Sequence, residues 1–415
     1  MPSVCLYFEV HQPFRLRRFT YFDRSASHDY FDDDKNGEIL RKVARKCYLP
    51  ANDLILKLIE RHQGQFRVSY SITGVALEQF KRYSPETLAS FQRLAETGCV
   101  EFIGETYYHS LSAIYDLEEF DAQIAKHRAL MLELFGQQPK VFRDTELIYD
   151  DRIGRHLAAQ GYNAVIAEGA DDILGWRSPN FVYRVPGTQT ALMLKNYRLS
   201  DDIAFRFSNR DWAAYPLMAD TYSRWVHNIS GAGEVVNLFM DYETFGEHQW
   251  ESTGIFEFLR HMPSEILKHP DWSFKTPSEA VAAYQPVADM PFSRTTSWAD
   301  LERDTTAWNG NRMQAKALAA IFALKQAVYA SGSAEALDTW RKLQTSDHFY
   351  YMCTKWFADG DVHAYFSPFE SPYDAFINYK NVLKDFSASL AAPLASMQED
   401  EDAVSALLQP AGAGH

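Results

Sequence analysis

The chain has 415 residues, 46% of them hydrophobic and 23% charged, with a formal net charge of -14. That length supports one large core plus a smaller unit, and the apolar content excludes an intrinsically disordered chain. The acidic balance argues against a nucleic-acid partner, because phosphate binding requires a basic surface.

Strand and helix patterns alternate along the first two thirds of the chain. A strand at residues 4–8 opens it and is followed by Glu9 and His11-Gln12-Pro13. No basic and apolar leader precedes it, and no run of about 18 apolar residues follows, so neither signal peptide, membrane contact nor any location but the cytoplasm is expected. Helical periodicity at 40–61 leads to a strand at 66–72. The helix at 75–97 leads to a strand at 100–103, trailed by Glu105 and His109. A helix at 117–135 leads to a strand at 141–143, which delivers Asp144 and Glu146. The strand at 164–167 ends on Glu168.

Between residues 169 and 234 the pattern loosens, and this stretch, with Trp176, is expected to form a long insertion over the active face. The strand at 235–240 then ends on Asp241. A helix at 253–268 and a weaker seventh strand at 273–275 complete the series. Strand signals stop after about residue 290, and helices are expected at 309–330, 334–345 and 374–388. The predicted organisation is α/β. A distorted barrel spans 1–290 with an insertion at 169–234, an all-α helical domain spans 291–390, and a flexible tail rich in Ala, Gly and acids spans 391–415.

Repeated strand–helix units imply a parallel sheet, open or closed. Polar residues end almost every strand, and in an open sheet they would gather at a single switch point. Their spread over many strands favours a closed barrel with one active face. The cysteines Cys5, Cys47, Cys99 and Cys353 show no CxxC spacing and are expected to be free thiols.

Glu146 and Asp241 are the leading candidates for chemistry. Glycoside hydrolysis needs two carboxyl groups flanking an anomeric carbon, and two strand ends on one rim would supply them. Salt bridging to Arg143 or Arg152 is the competing explanation, and the pattern alone leaves both open. A collection of His and acids could also hold a divalent ion. No HxxxH or HExxH spacing supports that, so no metal or other cofactor is expected. Ser297-Trp298-Ala-Asp300 places a Trp beside polar groups, which suits a sugar, although it could equally mark a plain turn.

Five segments in order carry a resemblance: His11-Gln-Pro13, Gly104-Glu-Thr-Tyr-Tyr-His109, Phe142-Arg-Asp-Thr-Glu-Leu147, Met240-Asp-Tyr-Glu-Thr-Phe-Gly246 and Thr345-Ser-Asp-His-Phe-Tyr-Tyr351. With these the chain resembles glycoside hydrolase family 57, and most of all its α-amylase-type members. The resemblance implies a (β/α)7 barrel followed by a helical domain that completes the cleft, with no metal requirement. It also implies a retaining mechanism on α-glucans or maltooligosaccharides, with Glu146 as nucleophile and Asp241 as general acid/base. His11, Glu105, His109, Asp347 and His348 would line the sugar subsites. Transfer to a sugar acceptor, as in a 4-α-glucanotransferase or branching enzyme, is the alternative within the family. A non-catalytic glucan-binding protein is the alternative outside it.

Overall fold

The computed structural model describes residues 1–24, 26–355 and 367–407, with side chains through residue 391. Two compact units make up the chain. The first comprises Met1–Pro13 and Asp33–Thr305; the second comprises Phe14–Asp32 and the described residues from Thr306 onward.

Nine strands lie in the first unit: β1 Ser3–Val10, β2 Val68–Ile72, β3 Val100–Phe102, β4 Val141–Arg143, β5 Ala164–Ala167, β6 Val182–Arg184, β7 Ala191–Leu194, β8 Val235–Asp241 and β9 Ser273–Phe274. One parallel sheet runs β3-β2-β1-β8, and a second runs β4-β5-β7 with β6 antiparallel at its edge. Gly104 joins the two sheets: its N–H donates to Val141 and its carbonyl accepts from Arg143, both at 2.8 Å. Asparagines close the other side. Asn196 N–H donates to the Asn237 carbonyl at 2.9 Å, and Asn237 Nδ2 donates to Leu194 at 2.8 Å. The Asn180 carbonyl, just before β6, accepts from Glu234 and Val235. Seven parallel strands (β1, β2, β3, β4, β5, β7 and β8) thus form a (β/α)7 barrel, distorted where β6 wedges into the closing seam.

Local chemistry sets the intervening helices. Leu117–Phe135 begins where the Asp116 side chain accepts from Glu119 N–H and stops at Gly136, whose φ of 65° lies in the left-handed region that glycine adopts without steric cost. Between the helices Asp33–Val43 and Leu49–Arg61 lies a π-helical turn, Ala44–Tyr48, a feature often found at functional sites. It directs Cys47 and Tyr48 at the segment after β8.

Two expectations about the barrel need correction. Its seventh strand is β7, inside the stretch expected to be an insertion, whereas Ser273–Phe274 pairs only with the first residues of β1. The reason is composition: Ala191–Leu194 is as long as Ala164–Ala167, but its Ala-Leu-Met-Leu sequence has no β-branched or aromatic residue to mark a strand.

The second unit holds the helices Thr306–Asn309, Arg312–Ala323, Lys325–Ala330, Ala334–Lys342, Ser346–Tyr350 and Pro372–Leu407. It begins at Thr306 rather than 291, and it takes in Phe14–Asp32, an excursion from the loop after β1. Buried polar bonds fix that arm. Phe19 N–H donates to Asn378 at 2.7 Å, and the Tyr30 hydroxyl donates to Asp385 at 2.8 Å. Helix Pro372–Leu407 runs through much of the expected tail, and residues 408–415 lie outside the described residues. The four cysteines are buried and none is in a disulfide. Among the described residues no helix is long and apolar enough to cross a membrane.

Candidate active site

Alternate residues of a strand face opposite sides of its sheet. On β1, Val4, Leu6, Phe8 and Val10 pack toward the helices, while Cys5 and Tyr7 join the barrel interior; the next residue of that parity is Glu9. On β8, Val236, Leu238 and Met240 face the helices, whereas Val235 and Phe239 face inward, which puts Asp241 on the interior series. The same count from Ile103, Val141, Ile166 and Met193 reaches Glu105, Arg143, Glu168 and Lys195. Ionisable groups therefore gather at the carboxyl ends of the strands, the end where barrel enzymes carry their chemistry.

Arg143 organises one half of this cluster. It is fully buried, its Nη2 donates to Glu9 Oε2, and its Nη1 lies 4.0 Å from Glu105. His109 Nδ1 lies 3.4 Å from Glu9 and 3.5 Å from Glu105, and its Nε2 lies 3.3 Å from Glu146 Oε1. Burial alone would push the His109 imidazole down, but Glu9, Glu105 and Glu146 overcome it and hold the ring well above the usual histidine range. Burial raises Glu9 well above the carboxylate range despite the opposing Arg143 and His109. For Glu105 burial acts in the same sense, but His109 and Arg143 prevail and lower it. Glu9, Glu105 and His109 each place a ligand atom within 4.8 Å of the others, a spacing that would suit an ion. The Arg143 guanidinium already supplies positive charge there, so the donor set favours a protein cation over a metal.

Glu146 sits differently: its side chain remains 18% exposed among buried neighbours. Its φ is 57°, that of Leu147 is 52° and that of His109 is 51°, all left-handed conformations uncommon for residues with a Cβ. The strain turns Glu146 off β4 and into the barrel mouth. Trp298 then fixes the carboxylate. Its indole N–H donates to Glu146 Oε2 at 2.7 Å, and its backbone N–H donates to the Glu146 carbonyl at 3.1 Å. The indole is itself held by two cations, with Arg143 at 4.8 Å and Lys195 at 5.3 Å from the ring centroid. Lys195 in turn lies 3.6 Å from Glu168 and 3.3 Å from Asp201, and Arg303 pairs with the same two acids.

Asp241 lies beside Glu9 in the β1–β8 register. Burial raises its carboxyl above the usual range; His248 opposes this and the Glu146 charge adds to it. Asp241 and Glu146 therefore interact through space, one tuned toward the protonated acid and the other gripped by donors. Next to Asp241, the buried Glu243 accepts from the Tyr48 hydroxyl and from Gln12 at 3.5 Å. Burial and the Asp241 charge push Glu243 from 4.5 to about 8. Because that folded value is raised, its stability contribution is fully present below about pH 4.5 and is lost as the pH rises through about 8. Glu243→Gln is expected to remove that decline. Thermal melts of both proteins from pH 4.5 to 8.5 check it, and parallel pH slopes would show that Glu243 stays charged on folding.

His11, Glu105, His109, Glu146, Asp241 and Trp298 thus belong to one neighbourhood. His11 stacks on His109 with ring centroids 3.9 Å apart, and its Nδ1 is 3.0 Å from the Thr73 hydroxyl. Trp176 is not brought in: it is 91% exposed, with Arg177 beside its ring. Asp347 and His348 belong to the helical unit. The Tyr351 hydroxyl donates to Asp347 at 3.5 Å, and His348 is buried against Tyr379, 3.2 Å from the Lys342 carbonyl. Sequence reasoning missed Lys195, Asp201, Arg303 and Tyr48 as site residues. Lys195 ends a strand as Glu9 and Asp241 do, and recognising β7 would have exposed it.

Residues 5–291 match the profile described as glycosyl hydrolase family 57. The chain belongs to that family. A relative from Methanocaldococcus jannaschii, provisionally named an alpha-amylase, is 44% identical over 407 residues, 95% of this chain and 86% of its own. Among solved structures, the family 57-type branching enzyme of Pyrococcus horikoshii superposes with a TM-score of 0.64 at 13% identity, covering 91% of this chain and 88% of its own. The 4-alpha-glucanotransferase of Thermococcus litoralis gives 0.61 at 16% identity and covers 84% of this chain. This chain spans 56% of that transferase's length. The two structures share the fold, and family membership makes the chain a glycoside hydrolase.

Proposed function

We propose that this family 57 enzyme hydrolyses α-1,4-glucosidic bonds in starch, glycogen or maltodextrins with retention, using Glu146 as nucleophile and Asp241 as general acid/base. The observation that carries the reading is the contrast between the two carboxyl groups at one barrel mouth. Both oxygens of Glu146 have donors, the Trp298 indole N–H at 2.7 Å and His109 Nε2 at 3.3 Å, whereas Asp241 is biased toward its protonated form. Protonated Asp241 gives its proton to the departing glycosidic oxygen as a Glu146 oxygen bonds to the anomeric carbon. In the second half, ionised Asp241 takes a proton from water, whose oxygen displaces Glu146 and restores the configuration. The 44% identical relative's name supports an amylase.

Transfer to a sugar hydroxyl would use the same covalent intermediate, and the names of the two fold neighbours keep that reading in view. Products from maltotriose separate the two. Only shorter sugars at early times support hydrolysis, whereas early longer oligomers would replace that reading with transfer.

Trp298 acts in this scheme as a positioning residue. Trp298→Phe keeps a ring between the two cations but deletes the N–H that grips Glu146. The expected loss in kcat is about 10²-fold, the scale of one preorganised donor, with little change in KM. Steady-state kinetics on maltoheptaose reads it, and an unchanged kcat would remove Trp298 from the mechanism.

A further inference from the structure

A second cleft, of about 730 Å³, lies in the barrel unit and shares no lining residue with the carboxylate cluster. One wall comes from the π-turn and the helix after it, with Arg45, Asp53 and Lys57; the other comes from the segment after β8, with Trp250, Glu251 and Phe256. Its volume falls in the range of small-ligand sites.

The cleft is rigidly built. Gly246 has φ 113°, and a Cβ there would lie 1.9 Å from the Lys46 carbonyl oxygen, so the loop seats directly on the π-turn backbone. Gly246 N–H donates to the Gln249 carbonyl at 2.9 Å, and the buried Gln249 side chain donates to Ala204 at 2.8 Å. The next residue is Trp250, held on this fixed backbone and yet 62% exposed. Lys46 Nζ stands 5.8 Å from its ring centroid, tethered in turn by Glu247 at 3.3 Å. The indole therefore presents a flat, pre-positioned aromatic face to the cleft.

The chemistry of the walls selects the ligand. Acids and bases alternate and are largely paired, Lys57 with Asp53 at 2.6 Å and Arg260 with Glu257 at 3.1 Å. Such a lining has no strong preference for an anion or a cation. It offers many donors and acceptors around a flat aromatic surface, the combination that recognises the hydroxyl edges and C–H face of a neutral sugar.

We infer that the Trp250 cleft is a second carbohydrate site that holds a strand of polymeric α-glucan outside the catalytic pocket; the identity of the sugar rests on the proposed function above. The loop carrying Trp250 leaves the same strand that ends in Asp241, so a glucan held there would be tethered to the barrel that carries the carboxylates. Full-length Glu146→Gln protein, with and without Trp250→Ala, run through native gels containing glycogen tests the site. The expected result is retardation of the Trp250 protein and a roughly fivefold or greater loss of apparent affinity in the Trp250→Ala form. In the active background, Trp250→Ala should keep wild-type turnover of maltotriose while its KM on glycogen rises by a similar factor. Arg45→Ala, on the facing wall, should weaken glycogen retention in the same direction. Equal retardation with and without Trp250, or an equal loss on maltotriose and glycogen, would overturn the second site. The proposed activity itself is read separately, from sugar release by the wild type on maltoheptaose.

Discussion

Glu146→Gln is expected to lower kcat on maltoheptaose by about 10⁴-fold or more, equivalent to roughly 5 kcal/mol of transition-state stabilisation. The amide keeps the shape of the side chain and can still accept from the Trp298 indole N–H, so the fold should be intact and the melting temperature close to wild type. What it loses is the charge needed to bond the anomeric carbon. In Glu146→Ala, which vacates that space, a small external nucleophile such as azide should restore part of the rate, giving a glycosyl azide of inverted configuration. A Glu146→Gln enzyme with near-wild-type turnover would place the nucleophile elsewhere, and Asp144, Glu105 and Glu9 would then need the same test.

The second large effect is on stability. Arg143→Leu removes a buried cation whose guanidinium touches Glu9, approaches Glu105 and supports the Trp298 ring. Removing one partner of a buried ion pair leaves an uncompensated charge and typically costs 3–5 kcal/mol. At about 2.1 cal/mol/K of unfolding entropy per residue, that corresponds to a fall in Tm of roughly 3–6 °C for a chain of this size. The loss should shrink as the pH falls, because Glu105, held low by His109 and Arg143 in the wild type, takes up a proton once the cation is gone, whereas burial already raises Glu9 toward its protonated form. Thermal melts at pH 7.5 and pH 5 would show it. A Tm within about 1 °C of wild type at pH 7.5 would mean that Glu105 is already protonated beside Arg143.

Much of this protein was determined by its linear order of residues. Apolar runs ending in acids and bases, such as Val235 to Asp241, marked the barrel strands and their functional ends, because a buried strand must be apolar until it emerges. The five ordered segments pointed to the family and to Glu146 and Asp241. Strand parity was legible too: once β1 and β8 are in register, Glu9 and Asp241 must both face the barrel interior.

Other features were decided only by tertiary structure, where contacts distant in sequence choose among local options. Ala-Leu-Met-Leu at Ala191–Leu194 has no β-branched or aromatic residue to declare a strand, and pairing with β5 and β6 makes it one. That pairing brings Lys195 to the ring of Trp298, 103 positions later in the chain, and so to the neighbourhood of Glu146. The left-handed turn at Glu146 is likewise invisible in Arg143-Asp-Thr-Glu. A conformation disfavoured locally persists because the Trp298 and His109 bonds hold it. The arm Phe14–Asp32 looked like a loop of the barrel, yet its buried bonds to Asn378 and Asp385 place it in the helical unit. Periodicity reports which residues are buried; which distant residue each one is buried against is settled only when the chain closes on itself.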